Sequence, residues 1–385
     1  MIDQKEVRLG IIGLGNMGSA HAHNILDGKV PGMTLSAIAD CAPERLEGYG
    51  DAKCFEDATT MICSGEIDAV LIATPHYSHT SLGIEALEKN LHVLVEKPIS
   101  VHKADCQRLI EAHTNKALVF SAMFNQRTDP YYLKLRQLIQ AGELGEIQRV
   151  NWIITDWYRT EYYYTSGDWR ATWGGEGGGV LLNQSPHNLD LLQWLFGMPT
   201  KVTAHCQFGR FHNIEVEDAV TALLEFPNGA TGVFITTTGE APGTNRLEVA
   251  ADRGKVVIED NTFKFYRTEQ DVPTHMATSE DGFQKPDTWE VTVPINRKGE
   301  QHLDILKNFT DAILNGAELI APAAEGLHSV ELANAMLYSE FEKTPVEMPM
   351  DAACYEAILK KKVKESTYVK PETRHTGVAS LKSSY

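Results

Sequence analysis

The sequence predicts an α/β protein in which an N-terminal, doubly wound parallel sheet is followed by an α+β domain built on a mostly antiparallel sheet. Three observations predict it. Strand-like and helix-like segments alternate through the first third of the chain, the pattern of parallel strands joined by right-handed crossovers. Beyond residue 150, strand-like segments follow one another across short turns, which implies antiparallel pairing. The chain has 385 residues, and single cores stop growing near ~250–300, so two domains are expected.

The elements follow in order. Val7–Ile12 is mostly apolar and runs into glycines, Met17–Leu26 is helical, Met33–Ala39 reads as a strand, and Pro43–Glu47 opens a helix. Ala69–Ala73 is a strand of the buried type, Leu82–Glu88 is helical, Leu91–Val95 is a strand, Lys103–Ala112 is helical, and Ala117–Ala122 is a last apolar run. These elements define a first domain over residues 1–125. In a second domain, 126–350, Val150–Tyr158 and Lys201–Phe208 read as strands. Val220–Phe226 and Thr231–Thr237 flank Pro227-Asn228-Gly229, and Leu247–Ala250 and Lys255–Glu259 flank Asp252-Arg253-Gly254. Both tripeptides signal hairpins. Helices at Asn188–Phe196, Leu303–Leu314 and Gly326–Glu340 are expected to cover one face of this sheet. Residues 351–385 are an extension, and Thr373–Tyr385, rich in small and polar residues, is expected to be partly disordered.

Charge narrows the function. The formal net charge is −17, which excludes nucleic acid and an anionic membrane surface as main partners. Anionic cofactors remain, because glycine loops and helix N-termini bind phosphate without net positive charge. No apolar run approaches the ~18 residues of a membrane span, and Met1–Arg8 lacks the apolar stretch of a secretory signal. The 6 cysteines are dispersed without a C-x-x-C pair, so a reduced, cytoplasmic protein is expected, with a mature exported form as the alternative. His21 and His23 point ~200° apart on a helix and cannot chelate one ion, and no metal site is indicated.

Gly13-Leu14-Gly15-Asn16-Met17-Gly18 is G-x-G-x-x-G between the first strand and the first helix, and Asp40 ends the next strand, 22 residues after Gly18. In that context the glycines permit a tight turn, close approach of a pyrophosphate and close helix–strand packing. The Asp40 carboxylate suits ribose hydroxyls and repels a 2′-phosphate. Cys41 and Ala42 follow, and Arg45 comes only later, which favours NAD over NADP. The alternative is a glycine turn that merely connects strand and helix.

Two further motifs complete a pattern. Glu96-Lys97-Pro98 follows the strand Leu91–Val95, and Asn183-Gln184-Ser185-Pro186-His187 follows Gly177-Gly178-Gly179. With the glycine loop, these resemble the Gfo/Idh/MocA family, the relatives of glucose–fructose oxidoreductase and inositol dehydrogenase, over roughly residues 5 to 350. The resemblance implies an N-terminal Rossmann domain and a C-terminal α+β domain with a large open sheet. It implies a dehydrogenase whose nicotinamide meets a sugar or polyol hydroxyl between the domains, and a homo-oligomer, dimer or tetramer. It gives Lys97 the acid/base role, makes Lys97–Pro98 a candidate cis peptide, and places His187 at the same hydroxyl. Glu96 and the loop Thr74-Pro75-His76-Tyr77-Ser78-His79 would line the cofactor, with Thr74, Pro75 and His79 as contacts; a structural role for His79 is the alternative. Asn125 and Arg127, where the chain leaves the first domain, would face the cleft, Asn125 towards cofactor and Arg127 towards substrate. The Trp169-Arg170 pair would approach the cofactor. One departure stands out: the family usually has Asp where this chain has Asn183. Asn bonds in both directions but carries no charge, so Lys97 should be easier to deprotonate.

Read from the residues alone, a lysine just past the carboxyl end of a parallel strand sits where open α/β sheets place ligands, and burial lowers its pKa towards the range of a general base. Ser185 and Pro186 suit the N-cap and N1 positions of the following helix. A histidine in that first turn is disfavoured as a cation, and Asp190 could orient its ring or simply favour the helix dipole. Trp157 and Tyr158, with Arg159 and the tyrosines 162–164, suit a sugar ring with its apolar faces and hydroxyl rim; for the three tyrosines a subunit interface is an equal alternative. The expected function is therefore NAD-dependent oxidoreduction of a secondary hydroxyl of a sugar, glycoside or cyclitol, by Lys97 with His187 and Asn183. The alternatives are a glycosidase-like enzyme that retains NAD and oxidises C3 transiently, and a non-catalytic sugar sensor.

Overall fold

The structure, a computed structural model, describes residues 6–295 and 299–371; the expectation for Thr373–Tyr385 falls outside them. The first sheet is assembled from β1 (Val7–Ile12), β2 (Met33–Ala39), β3 (Lys53–Phe55), β4 (Ala69–Ile72), β5 (His92–Val95) and β6 (Phe120–Ala122) in the order β3-β2-β1-β4-β5-β6, every pair parallel. All four residues of β4 are buried, as a central strand covered on both faces requires. The order runs outward in opposite directions from β1 and β4. The loops that leave their carboxyl ends therefore diverge, opening a crevice there. The Asn16–Leu26, His76–Glu88 and Lys103–Ala112 helices make the longer crossovers. Pro43–Glu47 closes as a single 3-10 turn, Pro43–Arg45, because Gly48 and Gly50 follow with φ of 90° and 62°.

The second sheet comprises β7 (Ile147–Ile154), β8 (Lys201–Phe208), β9 (Glu217–Glu225), β10 (Thr231–Thr237), β11 (Asn245–Ala251), β12 (Gly254–Glu259), β13 (Thr262–Thr268), β14 (Thr288–Thr292) and β15 (Val346–Glu347), ordered β14-β13-β12-β11-β7-β10-β9-β8-β15. It is antiparallel except where β10 lies parallel to β7. Both hairpins form where the turn residues indicate. The helices Pro186–Phe196 and Gly326–Glu342 contribute Leu189, Leu192, Leu332 and Met336 to the core under this sheet, against Trp152, Phe234 and Leu247.

The helix His302–Asn315 departs from expectation. Its Ile305, Leu306 and Phe309 pack into the core of the first sheet, with Ala321, Ala323 and Val330 behind them. The reason lies in the edge strand β6. Ala321 O accepts hydrogen bonds from Ala122 N (3.0 Å) and Ser121 Oγ (2.8 Å), which satisfies an edge that would otherwise be open. Residues 302–330 thus complete the first core, although they follow the second sheet in sequence.

Candidate active site

The glycine loop is built by close contact. Gly13 has φ of +88°, and a Cβ there would lie 2.7 Å from Ala73 O; a Cβ on Gly18 would lie 1.8 Å from Gly13 O. Only glycine lets the first helix approach β1 and β4 so closely. A Cβ on Gly15, by contrast, meets nothing within 4 Å, and the N-cap side of this helix carries no side-chain cap. That open, uncapped helix end, which starts at Asn16 and Met17, fits a pyrophosphate. Asp40 closes the loop from β2: Oδ2 accepts from Leu14 N at 2.7 Å and Oδ1 from Ala42 N at 2.9 Å. Each oxygen keeps a lone pair for a ribose hydroxyl. Arg45 comes within 3.7 Å of Asp40.

At the carboxyl end of β5, the Lys97–Pro98 peptide is cis. Lys97 Nζ donates to the backbone carbonyl of Asn183 at 2.9 Å, a bond from the first sheet to the short helix Val180–Asn183. Burial pushes the Lys97 amine below its usual range. Arg170 and Arg159 push the same way, while Glu96 and Glu176 oppose. Glu96 accepts from His21 Nε2 at 2.8 Å and from Lys97 N at 3.2 Å. Burial pushes this carboxyl up, but His21, His302 and Lys97 bring it down to about 2. His187 lies buried against Phe124, with ring centroids 6.5 Å apart. Burial first, then the charges of Lys97 and His302, hold it well below the usual histidine range, so its imidazole is neutral. Burial likewise brings His302 down to about 4.

Several expected partners are rearranged. Ser185 stands at the N-cap position but does not cap; its Oγ bonds Thr236 Oγ1 at 2.8 Å. Asp190 does not orient His187, whose Nδ1 is buried without a hydrogen-bond partner among the described residues. It pairs instead with Arg127, through Nε (2.7 Å) and Nη2 (2.6 Å), while Arg127 Nη1 reaches Ile320 O and Glu325. All three guanidinium nitrogens are thus engaged with protein partners, and the side chain is 1% exposed, so the structure gives Arg127 a structural pairing where substrate contact was expected. His79 presents one nitrogen to Pro98 O and the other to Thr74 O, each at 2.8 Å. It clamps two loops together and offers no ring nitrogen to a cofactor. Asn125 donates to Gln301 Oε1 at 2.7 Å, and Thr74 Oγ1 is buried without a partner among the described residues. Lys97 bonds the backbone of Asn183, whose side chain donates to Glu176.

The aromatic loop forms a wall. Trp169 meets His76 edge-on, with centroids 4.9 Å apart, and the Arg170 guanidinium lies 4.4 Å from the Trp169 ring and 4.5 Å from that of Tyr163. Trp157 Nε1 donates to Asn188 Oδ1 at 3.2 Å, and Tyr158 is 51% exposed. Lys370 donates to the carbonyls of Gly167 and Arg170 and so ties the C-terminal extension to this loop. Sequence reasoning missed Glu176, His302 and this strap. For Glu176 a signal existed: it is the single acid inside the run Gly174 to Gly179. A cavity of about 520 Å³ lined by Arg8, Cys63, Asp68, Lys89 and His92 lies at the amino ends of β1 and β5, away from Lys97. Arg8 and Asp68 pair within it, and neither the glycine loop, Lys97 nor His187 lines it. Among the described residues no group of three or more His, Cys, Asp or Glu could hold a metal, and no helix is long and apolar enough to cross a membrane.

Comparison with known proteins identifies the family of both sheets. Residues 7–124 match the oxidoreductase family with an NAD-binding Rossmann fold, and residues 132–257 match the GFO/IDH/MocA C-terminal domain. The chain is 25% identical to myo-inositol 2-dehydrogenase of Thermotoga maritima over 89% of its length and 98% of that protein. It is 25% identical to inositol 2-dehydrogenase of Rhizobium meliloti over 89% and 99%. Among solved structures it resembles the WlbA dehydrogenase of Bordetella pertussis in complex with NADH and UDP-GlcNAcA, with a TM-score of 0.76, 25% identity and coverage of 90% and 100%. A levoglucosan dehydrogenase in complex with NADH and L-sorbose, at TM-score 0.75, 21% identity and coverage of 90% and 99%, shares the fold.

Proposed function

The chain belongs to the Gfo/Idh/MocA family of NAD-binding oxidoreductases, and we propose that it transfers hydride between NAD and a secondary hydroxyl, or the corresponding ketone, of a sugar, glycoside or cyclitol. The observation that carries this reading is the Lys97 amine, fixed by Asn183 O at the carboxyl end of β5 beside a buried, neutral His187. Residues 1–125 bind the cofactor in this reading, and residues 126–350 supply the substrate side. The nicotinamide, when bound, supplies the hydride acceptor or donor.

Oxidation of an alcohol carbon requires removal of its hydroxyl proton. Lys97 takes that proton: burial favours its neutral amine, and the Asn183 carbonyl aims its nitrogen. His187, neutral for the same reason, orients the hydroxyl without adding charge. Trp169 and Arg170, packed on His76 and Tyr163, close the cofactor side, and Trp157 and Tyr158 offer faces to a sugar ring. Asp40 selects the unphosphorylated ribose of NAD. The inositol dehydrogenases and the sugar-bound dehydrogenases that this chain resembles support a polyhydroxylated substrate. Lys97→Ala, assayed with NAD⁺ over a panel of inositols, hexoses and hexosides, is expected to lose at least about 100-fold in turnover. Near-full turnover would remove Lys97 from the chemistry. A homo-oligomer is part of the same reading, supported by the solvent-facing side of the second sheet, where Leu223 is 57% exposed; a monomeric mass in light scattering overturns it.

A further inference from the structure

We propose that Glu176 is the positioning residue of this site: it fixes the direction of the Asn183 amide and supplies, next to Lys97, the negative charge that the Asn183 side chain lacks. The inference rests on the reading of Lys97 as the acid/base group.

The geometry begins with the backbone. Glu176 lies in Gly174-Gly175-Glu176-Gly177-Gly178-Gly179. A Cβ on Gly177 would lie 2.1 Å from Val101 Cγ1, and one on Gly179 would lie 2.0 Å from Glu217 O. The glycines therefore press the segment against its neighbours and hold Glu176 in a fixed place, 1% exposed. Its carboxylate has two donors. Oε2 accepts from Ala171 N at 2.7 Å, and Oε1 accepts from Asn183 Nδ2. Its backbone carbonyl accepts from His76 Nδ1 at 3.0 Å. Glu176 thus touches the aromatic loop, the Lys97 partner and the His76 loop at once.

Two consequences follow. A carboxylate only accepts, so the nitrogen of the Asn183 amide must face Glu176 and its oxygen must face the other way. The same residue accepts the Lys97 amine through its backbone carbonyl, so anchoring the side chain of Asn183 also steadies the Lys97 partner. Ala171, held through its N–H, has φ of 68°, a strained conformation for a residue with a Cβ; the Glu176 bond stabilises the turn that presents Trp169 and Arg170. The second consequence is electrostatic. The groups acting on Lys97 are Glu96, Arg170, Arg159 and Glu176, and the rings of His76, His79, His187 and His302 respond to Lys97 in turn. Glu96 is shared with His21. Two arginines therefore oppose the charge on Lys97, and Glu176 offsets them. Burial pushes the Glu176 carboxyl up from its usual range, while Arg170, Asn183, Ala171 N and Lys370, which face it, pull it down; Tyr164 and Glu217 sense its charge. Keeping a buried carboxylate ionised is costly, and the two hydrogen-bond donors together with Arg170 and Lys370 offset part of that cost.

The test combines Glu176→Gln, Asn183→Asp and the double variant, each checked by thermal melting. Two quantities are read: the Lys97 amine titration by NMR of [15Nζ]lysine-labelled protein without cofactor, assigned by its loss in Lys97→Arg, and the pH profile of alcohol oxidation. In Glu176→Gln the loss of negative charge moves the Lys97 titration and the acid limb of kcat to lower pH. Its kcat falls about 10- to 100-fold, the size of one charge-assisted hydrogen bond, while KM for NAD holds within about twofold. Asn183→Asp alone sets two carboxylates side by side and impairs kcat. The double variant returns one negative charge to the pair and recovers both the titration and at least half of the lost log kcat. An unmoved Lys97 titration in Glu176→Gln, or a double variant no better than the worse single, overturns the inference even if kcat has fallen. If instead the titration shifts as stated but Lys97→Ala stays active, the acid/base reading fails while the electrostatic link stands.

Discussion

Replacing Arg127 by Met separates the role its sequence context suggests from the one its surroundings give it. The guanidinium makes two bonds to Asp190 and one each to Ile320 O and Glu325. It lies between the rings of Phe124 and Trp194, 5.6 and 5.5 Å from their centroids. Without it, Asp190, 1% exposed, keeps Gln193 as its side-chain donor among the described residues. Breaking one side of such a buried pair costs about 3–5 kcal/mol. For 385 residues at about 2.1 cal/mol/K each, the unfolding entropy is about 0.8 kcal/mol/K, so Tm should fall by about 4–6 °C. The pH dependence carries a sign. Burial already raises the Asp190 carboxyl, and Arg127 is the first partner that lowers it. Removing Arg127 raises it further above its unfolded value, so the penalty grows as pH rises past that value and is complete above the folded pKa. Calorimetry at about pH 5 and about pH 7.5 should therefore find the larger deficit at the higher pH. Arg127→Met/Asp190→Leu should recover much of the loss, because no unpaired charge remains. A Tm within about 1 °C of the parent, together with a raised substrate KM, would refute the structural role and return Arg127 to the substrate.

Three more predictions follow from other parts of the molecule. Asp40→Ala removes the acceptor that favours ribose hydroxyls and frees Arg45, now 3.7 Å away; the NADP-to-NAD ratio of kcat/KM should rise at least about tenfold, and an unchanged ratio would show that Asp40 does not select the cofactor. Glu217 is buried, accepts from Gly179 N and Leu181 N, and is pushed up to about 8 chiefly by burial. Its folded pKa lies above the unfolded one, so its contribution is full in acid and is lost as pH rises from near 4.5 towards about 8; Glu217→Gln should flatten the Tm–pH curve over that window, and an unaltered slope counts against the assignment. Lys370→Met frees the carbonyls of Gly167 and Arg170, so amide exchange at 167–171 should quicken and KM for NAD should rise, because Trp169 and Arg170 of this loop stand on the cofactor side. Unchanged exchange would mean that the strap does not order the loop.

Much of the first sheet was legible because parallel strands buried on both faces leave plain apolar runs; Val7–Ile12, Met33–Ala39 and the helix Lys103–Ala112 match their predicted bounds. The short β3 and the helix Ala58–Ile62 were not read, since three to five residues leave no period to detect. The helix Pro130–Gln140 was also missed: only Leu135 in it is fully buried, so its apolar stripe is thin. In the site, Lys97 and His187 stood out because their motifs abut a strand end and a glycine run. The real partners of Asp190, Asn183 and Arg127 were invisible, for they lie 63 residues or more away or face one another across loops of no regular period.

The sequence by itself determined the local events: where glycine is obligatory, which strands are buried, where Lys97 meets a strand end, and which acid ends β2. Those properties depend on a few consecutive residues and on sterics that any context preserves. The tertiary structure alone decided which charges meet. It paired Arg127 with Asp190, carried residues 302–330 back to complete the first core, and set Glu176 against Asn183. Burial and pairing are properties of the assembled interior, where a charge must find its partner from whatever element the packing brings near.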